Sequence, residues 1–165
     1  MNIEITENII RGSIIYQLKQ TFGDSYKYYD EEIEQGFEKP SFHVSKIDNI
    51  SRKGYTGNQH KLVDNTYRYV IKYFTAEKNN KIKDINDKID ELKQIFSYLE
   101  IINIRDDKVY SKFNRINNIE ITQSDGVLLF QINFPIRTVE YVPIDKVKTN
   151  TLVEHIINND KEEEE

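Results

Sequence analysis

The sequence predicts an α+β domain: a largely antiparallel (mixed) sheet with two main helices packed on one face. Three observations carry this. Apolar residues recur at helical spacing over about residues 5–22 and again over 80–99, and apolar residues alternate along several intervening and following segments. The order is one helix, three strands, one helix, four strands, with no internal repeat, which suits helices gathered on a sheet better than alternating βαβ units.

In the first helix Ile10, Ile14 and Leu18 form an apolar stripe with Ile15 and Phe22 beside it. Thr6 is placed to cap its start and Gly23 its end. Gly12 and Ser13 weaken the middle, and a glycine there predicts close approach of another segment. A short strand is expected at 26–29, a loop around Gly36, Lys39 and Pro40, and an alternating strand over 41–48. Residues 49–62, polar and containing Gly54 and Gly57, read as a long loop or the tip of a hairpin. Tyr67, Tyr69, Ile71 and Tyr73 share one face of a strand over 65–75, a face for a covering helix or subunit and alternatively for stacked nucleobases.

The second helix carries Ile82, Ile85, Ile89, Leu92, Phe96 and Leu99 at spacings of three and four, with Asn79 or Asn80 as cap. Asp84, Asp87, Lys88, Asp90, Glu91 and Lys93 fill its other, polar face. Strands follow at 101–104, 109–113, 119–122 and 127–136, the last prolonged over 138–142. Asp125-Gly126 is a hairpin signal. Pro135 points to an edge or a strand end. Residues 144–157 read as a short helix and 158–165 as a disordered acidic tail, so the expected division is one domain over 1–143 and an extension over 144–165.

The 165 residues suffice for one core without disulfide or metal. There is no Cys, so thiolate metal sites and Cys nucleophiles are excluded. The abundance of Ile, Asn and Lys against a single Ala76 reflects AT-rich codons and points to a low-GC genome. No membrane span or signal peptide is expected. The net charge of −5 is not that of a nucleic-acid binder. It is segregated: residues 24–38 hold Asp24, Asp30, Glu31, Glu32, Glu34 and Glu38 against Lys27, whereas 46–61 hold Lys46, Arg52, Lys53 and Lys61 against Asp48.

No phosphate loop, nucleophile elbow or zinc-helix motif is present. His43, His60 and His155 are far apart. Asp30-Glu31-Glu32 would chelate a metal poorly, because neighbouring side chains of an extended segment point apart. Asp106-Asp107 with Lys108 or Lys112 reads as a turn more simply than as a metal-dependent nuclease site. No catalytic, metal or cofactor-binding residue is assigned.

The stretches GSIIYQLKQTF (12–22), YKYYDEEIEQGFEKPSFHVSKI (26–47) and LVDNTYRYVIKYF (62–74) resemble the tail terminator proteins of phages and of contractile phage-tail-like particles in low-GC Gram-positive bacteria. The resemblance runs over about residues 4–140. It implies a tail-terminator-like structural protein, not an enzyme and without cofactor. Its subunits would form a homo-oligomeric ring, a hexamer, on the head-proximal end of the tail tube. The implied partners are further copies of itself, the tail tube protein, the sheath protein in a contractile tail, and a collar or head-connector protein. No membrane and no sequence-specific nucleic acid is expected. Assembly would take place in the bacterial cytoplasm, the product being part of a virion tail or a bacteriocin-like particle. A neck connector ring and a metal-dependent nuclease are the alternatives.

A cyclic ring joins one patch to a different patch of the next subunit. The contact residues expected for subunit or tube are Arg52, Lys53, His60 and Lys61 on the basic side, and Asp30, Glu31 and Glu32 on the acidic side.

Overall fold

The computed structural model describes residues 5–30, 36–56, 60–105 and 108–141. Helix α1 (Glu7–Phe22) and a 3-10 turn (Gly23–Ser25) lead into strands β1 (Lys27–Tyr29), β2 (Ser41–Thr56) and β3 (His60–Phe74). Helix α2 (Lys81–Ile95) is followed by β4 (Tyr98–Arg105), β5 (Lys108–Arg115), β6 (Asn118–Ser124) and β7 (Val127–Tyr141). The fold is α+β. The residues group into two compact units, one of 1–51 with 65–136 and one of 52–64 with 137–165. The expected boundary at 143/144, the short helix over 144–157 and the acidic tail all lie outside the described residues.

A five-stranded mixed sheet has the order β1-β2-β3-β7-β6. β1 is parallel to β2, with Tyr28 opposite Phe42, and β6 is antiparallel to β7, from Asn118 opposite Asn133 to Ser124 opposite Val127. Asp125 and Gly126 both have positive φ, 50° and 74°, as a two-residue type I′ hairpin requires. β4 and β5 do not join this sheet but form a hairpin of their own. Alternation and turn chemistry specify strands, but which strands share a ladder is decided by tertiary packing.

The alternating residues of one sheet face are buried: Phe42 and Val44, Tyr67 to Tyr73 at every second position, and Leu128 to Ile136 likewise. Both helices cover that face. The Tyr69 hydroxyl donates to the Glu7 carbonyl of α1 at 3.4 Å, and the Tyr73 hydroxyl donates to the Asp84 carboxylate of α2 at 2.7 Å. Ile10, Ile14 and Leu18 from α1 join Ile85, Leu92 and Phe96 in the same core. The tyrosine face is therefore interior, and the nucleobase-stacking alternative for it is overturned.

The caps of α1 are as expected. Thr6 Oγ1 accepts the Ile9 N–H at 3.4 Å, and Gly23 at φ 69° ends the helix. Gly12 is not a point of close approach: a Cβ built there meets nothing within 4 Å. The close approach comes one residue later. The Ser13 hydroxyl donates to the Ile9 carbonyl at 2.7 Å and accepts the Ile102 N–H at 2.9 Å. Gln17 continues the pattern, with Nε2 donating to the carbonyls of Ile95 and Tyr98 and Oε1 accepting the Glu100 N–H. Two polar side chains of α1 thus occupy the β4 edge as a neighbouring strand would, satisfying backbone groups that are mostly half-buried.

The apolar stripe of α2 is corrected at both ends and its polar face in the middle. Ile82 is 68% exposed, and Leu99 belongs to β4. Lys88, expected on the polar face, is 8% exposed. Its ammonium lies 4.8 Å from the Phe22 ring centre and 5.2 Å from that of Tyr26, and it donates to Glu91 at 2.7 Å. Burial acts to lower the Lys88 pKa, but the hydrogen bonds to Glu91 and Tyr26 outweigh it and hold the pKa above the ordinary lysine value.

Of the two readings of residues 49–62, the hairpin holds and the long loop does not. β2 runs to Thr56 and β3 begins at His60, so the segment consists of the ends of two long strands. Polar composition does not prevent strand formation where neither face is buried in a core. Pro135 sits in β7, which lies between β3 and β6, but beyond the Asn118–Asn133 pair that ends the register with β6. A residue without an N–H is tolerated there because β7 has no β6 partner at that level.

Candidate subunit-contact surface

The expected basic contact residues fall on the ends of β2 and β3. Arg52 and Lys53 are exposed on β2. His60 and Lys61 begin β3, and their side chains lie outside the described residues. In the same unit Arg137 of β7 forms a two-pronged ion pair with Asp64 of β3. Nε donates to Oδ1 at 2.7 Å and the terminal nitrogen to Oδ2 at 3.0 Å. This hydrogen bonding, with the charges of Arg137 and Arg52, holds the Asp64 carboxyl below its ordinary pKa.

The other unit carries a matching pair on β2 and β3. Arg68 binds both oxygens of Asp48 at 2.6 Å, one from Nε and one from its terminal nitrogen. Lys46 is paired with Glu7 of α1. Lys46 and Asp48 are thereby committed to partners within their unit, and the basic character of 46–61 narrows to Arg52 and Lys53 among the described side chains. Both forked pairs were invisible in the sequence, since they join residues 20 and 73 positions apart that only strand register brings together.

On the acidic side, Asp30 is exposed and its carbonyl accepts from Arg11 at 2.8 Å. Glu31 and Glu32 lie outside the described residues. The expected acidic and basic residues are therefore not brought into one described cluster. The Asp106-Asp107 turn also lies outside the described residues. Among the described residues, no three or more His, Asp or Glu side chains are grouped to hold a metal, and no helix is long and apolar enough to cross a membrane.

A second exposed surface escaped the sequence reading. Val109 and Phe113 of β5 are 68% and 63% exposed, and Tyr98 of β4 packs its ring 5.4 Å from that of Phe113. Its sequence signal was the pair Val109 and Phe113 in one expected strand, which reads equally well as core, and Tyr98 falls within the expected second helix.

The described ion pairs and perturbed groups serve packing and strand pairing in an α+β domain. The chain belongs to the phage tail terminator family: the family model described as phage tail terminator protein matches residues 9–146. No curated protein matches the chain. Membership gives it a structural role as a component of a phage tail.

Proposed function

We propose that this chain is the ring-forming terminator of a phage or phage-tail-like particle. Copies of it close into a ring, a hexamer, on the head-proximal end of the tail tube. The ring stops tube polymerisation, meets the sheath where the tail is contractile, and joins the tail to the collar. Its role is structural and not catalytic. The observation that carries this is the family match over most of the chain.

The charge distribution supports a head-to-tail contact between neighbours. Arg52 and Lys53 are exposed at the end of β2, with Lys61 close in sequence to the same strand ends, and Asp30 opens the acidic run with Glu31 and Glu32. A closed ring needs two different patches that complement each other, and opposite charges on separate segments supply steering and register. The strand ends are alternatively the part that descends onto the tube.

The test combines solution mass with particle morphology. The purified chain should sediment as a closed oligomer, and particles made without the gene should carry tubes of irregular, excessive length. Reversal of Arg52, Lys53 and Lys61 to Glu should abolish the ring if they meet a neighbour. Intact rings with overgrown tubes would assign them to the tube contact, and intact rings with normal tubes would remove them from both.

A further inference from the structure

The face of the β4–β5 hairpin turned away from the core carries a strip of exposed apolar side chains interrupted by polar ones. Side chains alternate along a strand, and Tyr98 stands opposite Arg115, Glu100 opposite Phe113 and Ile102 opposite Ser111. Tyr98, Ile102, Val109 and Phe113 therefore share the outward face with Glu100, Ser111 and Arg115. Tyr16 of α1, 50% exposed, stands beside them between two open grooves. One, of about 310 Å³, is lined by Gly12, Ser13, Tyr16, Ile102 and Val109. The other, of about 230 Å³, is half polar and runs past Gln17, Gln20, Tyr98, Glu100 and Ile102. Gly12 keeps the first groove open, having no side chain where nothing else stands within 4 Å. Four large apolar side chains exposed on one side of the molecule, Tyr16, Tyr98, Val109 and Phe113, mark a candidate contact site.

We propose that the strip receives the C-terminal segment of a neighbouring copy of this chain, with Leu152, Val153, Ile156 and Ile157 as its anchors. The inference rests on the ring reading above and names one of its contacts. Residues 142–165 follow β7, and within them TLVEHII (151–157) spaces four apolar residues at i, i+1, i+4 and i+5. That spacing gathers them on one side of a helical turn, and Thr151 with Glu154 has the capping-box pattern for starting it. The residues after it are polar or charged, with five acids against Lys161. An exposed cation borders the strip: Arg115, opposite Tyr98. The apolar stretch thus meets the exposed Tyr98, Val109 and Phe113, while Arg115 offers a cation to the acids that follow.

The ten residues between Tyr141 and Leu152 span up to about 35 Å when extended, the reach of a small domain. The family match stops at residue 146, so the anchors lie on an extension beyond the matched domain. Such an extension is suited to reaching a neighbour, while the domain itself supplies the body of the ring.

The Cys-free chain gives a direct test. Two single variants, Phe113→Cys and Ile156→Cys, are mixed, assembled and oxidised, with Glu77→Cys replacing Phe113→Cys as the control. A heterodisulfide between the first two, absent with the control, is the expected result. Failure of the mixture to cross-link, or cross-linking within one chain in the Phe113→Cys/Ile156→Cys double variant, overturns the proposal. Solution mass of the same samples separates the two readings. Rings without the cross-link overturn only the docking, whereas an unmodified chain that stays monomeric overturns ring formation and the docking with it. As a second readout, Val109→Ser with Phe113→Ser should lower the ring's resistance to dilution at least tenfold, and unchanged resistance counts against the proposal.

Discussion

Lys88 places its ammonium 4.8 Å from the centre of the Phe22 ring, so that a helix residue flanked by acids in sequence serves as part of the core. Its stem is buried and its charge is shared between two aromatic faces and Glu91. Lys88→Ala should therefore destabilise the fold by about 1–3 kcal/mol through lost packing as well as lost charge. Lys88→Met should recover part of that. Chemical denaturation of the three proteins checks it, and a loss for the Ala variant below about 0.5 kcal/mol would place Lys88 at the surface.

Ile82 and Ile85 have the same side chain three residues apart on α2, yet one is 68% exposed and the other fully buried. Ile85→Ala should cost about 2–5 kcal/mol. Ile82→Ala should change stability by less than about 0.5 kcal/mol. Equal losses in urea unfolding would contradict the helix register.

Ser13 satisfies the Ile102 N–H, and Gly12 beside it has open space where a Cβ would stand. Ser13→Ala leaves that donor unpaired and should cost about 1–3 kcal/mol. Gly12→Ala should instead stabilise the isolated chain by about 0.5–1 kcal/mol, the difference in helix propensity. Opposite shifts in melting temperature for neighbouring residues are the expected signature.

Tyr69 is wholly buried, and burial, aided by the Glu7 charge, pushes its pKa up to about 12. The unfolded chain releases that proton near pH ~10. Stability from this group is fully present below pH ~10 and declines as the pH rises toward about 12, because the unfolded state then binds fewer protons. Tyr69→Phe should flatten the alkaline limb of a stability–pH profile. An unchanged slope between pH ~10 and ~12 would show that Tyr69 does not titrate late.

Asp64 is held in its ionised form by the Arg137 fork. Its pKa is depressed on folding, so its contribution is present at neutral pH and fades as the pH falls through the depressed value. Carboxyl chemical shifts followed by NMR should show Asp64 titrating below the usual aspartate range, and returning toward it in Arg137→Gln. The same midpoint in both proteins would mean that the fork does not persist in solution.

Much of the fold was legible because local chemistry states it. Thr6 and Gly23 delimit α1, Asp125-Gly126 turns β6 into β7, and alternate residues of β3 and β7 announce a buried face. The proposed contact surface was legible only as charge. Arg52 and Lys53 are indeed exposed, but the same run contains Lys46 and Asp48, which are paired with Glu7 and Arg68. Composition counts all of these equally, whereas partners are assigned by register and packing.

By itself the sequence determined the helices, the turn types, the alternating core of the sheet and, through its resemblance, the family. Each depends on residues near one another in the chain or on a pattern spread along it. Tertiary structure alone decided that β4 and β5 leave the sheet and have their edge taken by Ser13 and Gln17 of α1. It also decided that Lys88 is interior while Ile82 is not, and that Asp64 meets Arg137. These outcomes turn on which distant groups compete for the same space and hydrogen bonds, and that competition exists only once the chain is folded.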